Sequence, residues 1–146
     1  MKPLIALSVL ALLLSGCSQK APVQELTDGT CTAQQEKLVQ AHISGQIDAI
    51  AKKKWATAYS FASPNFRSAV DLDQFTFVIA TQYVMLVENQ GYEFNGCTFT
   101  DNKFTEDVGV KSARGLTNLT YTLSLTGSAL GVESAVIVNA DTALAA

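Results

Sequence analysis

The chain has one histidine, His42, in 146 residues. That scarcity removes several chemistries. A lone imidazole with no ligand cluster around it argues against a zinc site. Ser60 and Ser63 have no base placed beside them, so nothing supports a Ser-His-Asp triad. His42 itself lies near the apolar stripe of a helix and reads as a satisfied or half-exposed side chain. Positive charge is also scarce, with 10 Lys+Arg against 13 Asp+Glu. The one basic cluster is Lys52-Lys53-Lys54, which reads as a solvated helix end. Nucleic acid is therefore not an expected partner. No glycine-rich phosphate loop is present, since Gly127 and Gly131 flank a hairpin. No cofactor is implied and there are no internal repeats. The long apolar stretch at residues 4–14 falls well short of the roughly 20 residues that span a bilayer.

That stretch is instead of signal-peptide length, with Lys2 supplying a charge before it. It ends in Leu14-Ser15-Gly16-Cys17, which resembles the bacterial lipobox: leucine, two small residues, cysteine. The small residues let the chain lie extended in a peptidase groove. The Cys17 thiol is expected to take a diacylglycerol and to become the new N-terminus. Acyl chains contribute roughly 0.8 kcal/mol per buried CH₂, and two or more hold a protein stably on a membrane. Ser18 and Gln19 follow, with no Asp after the cysteine, the residue associated with inner-membrane retention in many Gram-negative bacteria. The expected address is the cell envelope, at the outer membrane or outer surface. The expected organisation is signal peptide (1–16), lipidated N-terminus and tether (17–31), one domain (32–140) and a frayed tail (141–146). Pro22 and Gly29 in a polar stretch suit the tether.

With Cys17 lipidated, Cys31 and Cys97 remain of the three cysteines. An even pair in an oxidising compartment reads as a disulfide. The alternative is two separate buried thiols.

Thr32-Ala33-Gln34-Gln35 matches a capping box and predicts a helix over residues 33–53. Leu38, Val39, Ile43, Ile47 and Ile50 make its buried stripe. A second, shorter helix is expected over 55–61, ended by Ser63-Pro64, with Phe66 and Arg67 in a turn. Asp71-Leu72-Asp73-Gln74 predicts a third helix running to Tyr83, with both acids serving its N-terminus. After Gly91 the period changes to two. Strands are expected at 92–100, 104–111, 119–126 and 132–138. In the clearest one, Leu119, Tyr121, Leu123 and Leu125 alternate with Thr120, Thr122, Ser124 and Thr126. Three helices followed by a meander of about four strands argue for an α+β domain, its helices on one face of a curved antiparallel sheet.

Gln46-Ile47-Asp48-Ala49-Ile50, the run from Trp55 through Ala58-Tyr59-Ser60-Phe61-Ala62-Ser63-Pro64 to Arg67, and then Phe75 and Tyr83, form a pattern. It resembles domain of unknown function 4864, which is similar to the nuclear-transport-factor-two-like, cystatin-like cone superfamily. The strands match in their order. The final Ala135-Val136-Ile137-Val138 lacks the tryptophan that relatives often carry there. The resemblance implies a bent sheet wrapped around a long first helix, with a cavity between. It does not imply a reaction.

Two functional expectations follow. The first is a non-enzymatic envelope lipoprotein whose cone binds a small apolar ligand or an envelope protein. Trp55, Tyr59, Phe66, Tyr83 and Tyr121 are the candidate lining, and core packing is the plainer explanation of those aromatics. The second is an isomerase-like or dehydratase-like enzyme. It needs a carboxylate base in an apolar pocket, with Asp48 or Glu93 as candidates. A homodimer through the Thr120, Thr122, Ser124 and Thr126 face is a further possibility, against a simply solvated threonine face.

Overall fold

The structure is a computed structural model and describes residues 26–138. The signal peptide, Cys17, most of the tether and the tail at 141–146 lie outside the described residues. The fold is α+β, with five helices and a five-stranded antiparallel sheet among the described residues. Both counts exceed the sequence expectation, for local reasons.

Thr32 caps α1 (Ala33–Ala51) as the sequence predicts. The Gln35 N–H donates to Thr32 Oγ1 at 3.2 Å, and the Thr32 N–H donates to Gln35 Oε1 at 2.9 Å. Val39, Ile43, Ile47 and Ile50 are buried at three- and four-residue spacings, but Leu38 is 39% exposed and Gln46 joins the buried face instead. The helix stops two residues early because Lys53 turns left-handed, with φ 54°. The lysine triplet therefore follows the last turn.

α2 (Trp55–Ser60) is short. The expected turn after it is instead a helix, α3 (Pro64–Ala69). Ser63-Pro64 ends one helix and starts the next. The Phe66 N–H donates to Ser63 Oγ at 3.0 Å, and proline at the first helical position gives up no needed donor. α4 (Leu72–Gln82) carries the reciprocal Asp71–Gln74 box, with bonds of 2.8 and 3.1 Å. α5 (Val84–Val87) adds one turn that buries Leu86.

The sheet runs in chain order: β1 (Gly29–Thr30), β2 (Gly91–Thr100), β3 (Lys103–Ser112), β4 (Gly115–Thr126) and β5 (Ala129–Val138). β1 falls in the expected tether. It pairs with Phe99 and Thr98, so the domain begins before residue 32. Asp101 and Asn102, both with positive φ, make the two-residue turn between β2 and β3. Bulges at Phe94/Gly96 and Thr122/Leu123 bend two of the strands. Phe99, Phe104, Val108, Val110, Leu119, Tyr121 and Leu123 form the buried face under the helices. On the other face the Thr98 and Thr105 hydroxyls bond at 2.6 Å. Thr120 Oγ1 there donates to Asp107 at 2.8 Å.

The Cys31–Cys97 disulfide ties β1 to β2 across 66 residues, with Cα atoms 5.4 Å apart. The Cys31 N–H also donates to the Cys97 carbonyl at 3.1 Å. Among the described residues the buried set runs from Gln35 to Val132, so the domain carries its own core.

One close approach shapes the far side of the sheet. Residues 61–63 run beside β5: the Ser63 N–H donates to the Val132 carbonyl and the Val132 N–H to the Phe61 carbonyl, both at 2.9 Å. Glycine at 131 permits this. A Cβ there would stand 2.5 Å from Ser63 Cα. The clip closes the edge of β5 at Val132 and leaves the residues beyond it facing α4.

Candidate ligand cavity

A cavity of about 300 Å³ lies between α4 and β5, at the small end of the range for ligand sites. Phe75, Val78 and Ile79 of α4 form one wall, and residues 132–136 of β5 form the other. Gln46 and Ile50 of α1, Leu86 of α5 and Tyr121 of β4 line its inner side. Five consecutive residues of β5 line the cavity, although side chains alternate along a strand. The cavity therefore abuts the backbone edge of β5 as well as its inward face.

Three of the five aromatics expected at the lining are there: Phe66, Tyr83 and Tyr121. The other two are structural neighbours outside the lining. Trp55 is half-buried against the core at the start of α2. Tyr59 packs against Phe75 with ring centroids 5.5 Å apart, and its hydroxyl donates to the Val70 carbonyl at 2.7 Å. It braces α3 against α4 from behind the wall.

The polar groups at the cavity are few, and most are spoken for. Gln46 Nε2 donates to the Ala58 carbonyl at 3.2 Å. The Tyr83 hydroxyl donates to the Ala135 carbonyl at 2.6 Å. Glu133 lines the wall, but its Oε1 accepts from Ser124 Oγ at 2.6 Å. No Lys, Arg or His lines the cavity. Tyr121 is the exception. It is fully buried and its hydroxyl has no hydrogen-bond partner among the described residues. Leaving a buried donor unsatisfied costs about 1–3 kcal/mol. Burial, and then the neighbouring Tyr83 and Tyr92 phenols, push the Tyr121 phenol far above its ordinary value, so it stays a protonated donor.

The two carboxylates expected as candidate bases are both in solvent. Asp48 is exposed on α1 and accepts from the Tyr92 hydroxyl at 2.8 Å. Glu93 is exposed on β2 and pairs with Lys111 at 3.8 Å. Neither lines the cavity. Tyr92 and Phe94 pack against the core on either side of Glu93, which puts Glu93 on the outer face of that half of β2; the bulge at Phe94/Gly96 reverses the parity before Cys97 and Phe99. The same helical geometry that buries Ile47 and Ile50 turns Asp48 outward. His42 is satisfied: its Nε2–H donates to the Phe61 carbonyl at 2.8 Å, with its ring edge-on to Phe61. Ser63 is taken by its capping role.

One further acid, which the sequence pattern does not single out, belongs to the core. Glu106 is fully buried on β3, with Oε1 accepting from the Gly96 N–H at 3.3 Å and Oε2 unpartnered. It stands opposite Cys97 on one side and Tyr121 on the other. Burial pushes its carboxyl above the ordinary glutamate range, and the Gly96 N–H pulls it back in part. Smaller effects come from Glu36 and Asp107, which raise it, and Gln40, which lowers it. Strand parity carried the signal: Phe104, Val108 and Val110 face inward, so position 106 must as well. Glu106 does not line the cavity.

Among the described residues no group of three or more His, Cys, Asp or Glu is placed to hold a metal ion. None of the described helices is long and apolar enough to cross a membrane.

A family profile described as Domain of unknown function (DUF4864) matches residues 32–142. The chain belongs to that family. The DUF4864 region spans all five helices and β2 to β5, and so holds the whole cavity. β1 and Cys31 lie just ahead of it. No curated protein matches the chain. The DUF4864 description carries no activity, so a functional reading rests on the site itself.

Proposed function

We propose that this DUF4864 protein is an envelope lipoprotein, anchored through a lipid on Cys17, whose domain is a non-enzymatic binding module. Its ligand is a small apolar molecule taken between α4 and β5. The observation that carries this reading is the cavity of about 300 Å³ with an overwhelmingly apolar lining. The Cys31–Cys97 disulfide suits an oxidising compartment outside the cytoplasm. The isomerase-like alternative loses its two named bases, because Asp48 and Glu93 point into solvent.

Two experiments test the two halves. Cells expressing the full chain and fed labelled palmitate should label it, and Cys17→Ser should abolish the label. Native mass spectrometry of the chain from Gln19 onward should show a mass surplus that is shed on mild activation. A bare monomer would overturn the ligand reading. A clean dimer would point to the Thr120 and Thr122 face as an interface instead.

A further inference from the structure

The cavity's chemistry narrows the class of molecule it takes. Resting on the proposed binding role, we infer that the ligand is uncharged and apolar, and carries an acceptor oxygen that bonds the Tyr121 hydroxyl. Three observations lead there. First, no Lys, Arg or His lines the cavity, so a carboxylate or phosphate would enter without a counter-charge. Taking a bare anion out of water without a partner is heavily unfavourable. Second, Glu133 is the lone carboxylate among the lining residues, and its Oε1 is engaged by Ser124. A cationic amine would find there a single carboxylate, already engaged at one oxygen, in an otherwise apolar lining. Third, the other inner donors are engaged: Gln46 Nε2 donates to the Ala58 carbonyl and the Tyr83 hydroxyl to the Ala135 carbonyl. Tyr121 alone among them is buried without a partner.

The lining places that donor against apolar surroundings. Ile50 and Leu86 share the inner side with Tyr121, while Val78 and Ile79 stand on the α4 wall. An apolar body would pack against these side chains. A ketone, ester or ether oxygen would then satisfy the phenol, once the side chains that seal its hydroxyl from the cavity move aside. A buried hydroxyl given an acceptor favours that ligand over a hydrocarbon of equal size, since the hydrocarbon leaves the donor unpaired.

The test uses the chain from Gln19 onward, oxidised, with four probes. Xenon, followed by its NMR shift, reports whether the cavity admits an apolar guest. Methyl heptyl ketone, nonane and nonanoate then differ in head group at similar length. The ketone should bind more tightly than nonane. Tyr121→Phe should weaken the ketone about five- to tenfold and leave nonane unchanged. Nonanoate at neutral pH should not bind. Phenylalanine keeps the ring and removes an unpaired buried hydroxyl, so the variant should still admit xenon and should melt at or above the parent's temperature, which verifies the fold.

Equal ketone affinity in parent and Tyr121→Phe would overturn the Tyr121 assignment. Tight nonanoate binding would overturn the claim of an uncharged ligand. Either result, with xenon still admitted, leaves the binding-module reading standing. No uptake of xenon or any other probe would overturn both.

Discussion

Removing the Cys31–Cys97 bridge should cost much of the domain's stability, because of what the bridge closes. It links residues 66 apart, and its loop contains all five helices. The chain-entropy account gives about 4 kcal/mol for a loop of that length, as an upper figure. Little else holds β1 in place: two residue pairs with β2 and the bond from Cys31 to the Cys97 carbonyl. The Cys31→Ala, Cys97→Ala double variant removes the link without leaving an unpaired thiol or hydroxyl in the core. Cys97 is buried, so a small packing loss adds to the effect. Spread over a domain of this size, the melting temperature should fall by on the order of 10 °C. Circular dichroism melts of oxidised parent and double variant measure this directly. Thiol titration of the denatured, unreduced parent should find neither Cys31 nor Cys97 reactive. Two reactive thiols would refute the bridge. An intact bridge with a melting shift under about 3 °C would refute the loop-entropy reasoning.

Gly131→Ala should destabilise by about 1–3 kcal/mol, because its Cβ would meet Ser63 Cα at 2.5 Å and force residues 61–63 off β5. A lower urea midpoint with an unchanged slope would register this, and an unchanged midpoint would count against the clip. Glu106→Gln should alter the pH dependence of stability. With a raised folded value, Glu106 keeps its proton in the folded state after the unfolded chain has lost it. The stability it confers is complete below the ordinary value of 4.5 and is lost as pH rises through the elevated one. The variant should lack that decline, so parallel stability curves for parent and Glu106→Gln would refute the assignment. Asp71→Ala should cost about 1 kcal/mol by removing the α4 cap, and Asp71→Ser should restore most of it in the same unfolding assay.

Local signals in the sequence were reliable where one residue decides one bond. Thr32 and Asp71 announce their helices because a side-chain oxygen caps an N–H three residues on. The alternation around Tyr121 places that side chain under the helices, since the period of a strand is two. The disulfide was legible from the cysteine count together with the expected compartment. The misses are also physical. Ser63-Pro64 reads as a stop, but a serine cap followed by proline is equally a start, as α3 demonstrates. β1 has no pattern of its own, because two residues cannot display a period. Glu106 interrupts the apolar alternation of its strand with a charge, although its parity places it in the core.

The sequence by itself determined the starts of α1, α2 and α4, the inward face of β4 and the cysteine pair. These depend on neighbours a few residues apart, or on counting. Only the tertiary structure decided which of these faces leave a space between them. The cavity exists because Gly131 lets residues 61–63 clip β5 at Val132, while α4 stands off the strand beyond it. It also decided that Tyr121, and neither Asp48 nor Glu93, reaches that space. Such an outcome follows from the packing of elements far apart in the chain, and no local pattern encodes it.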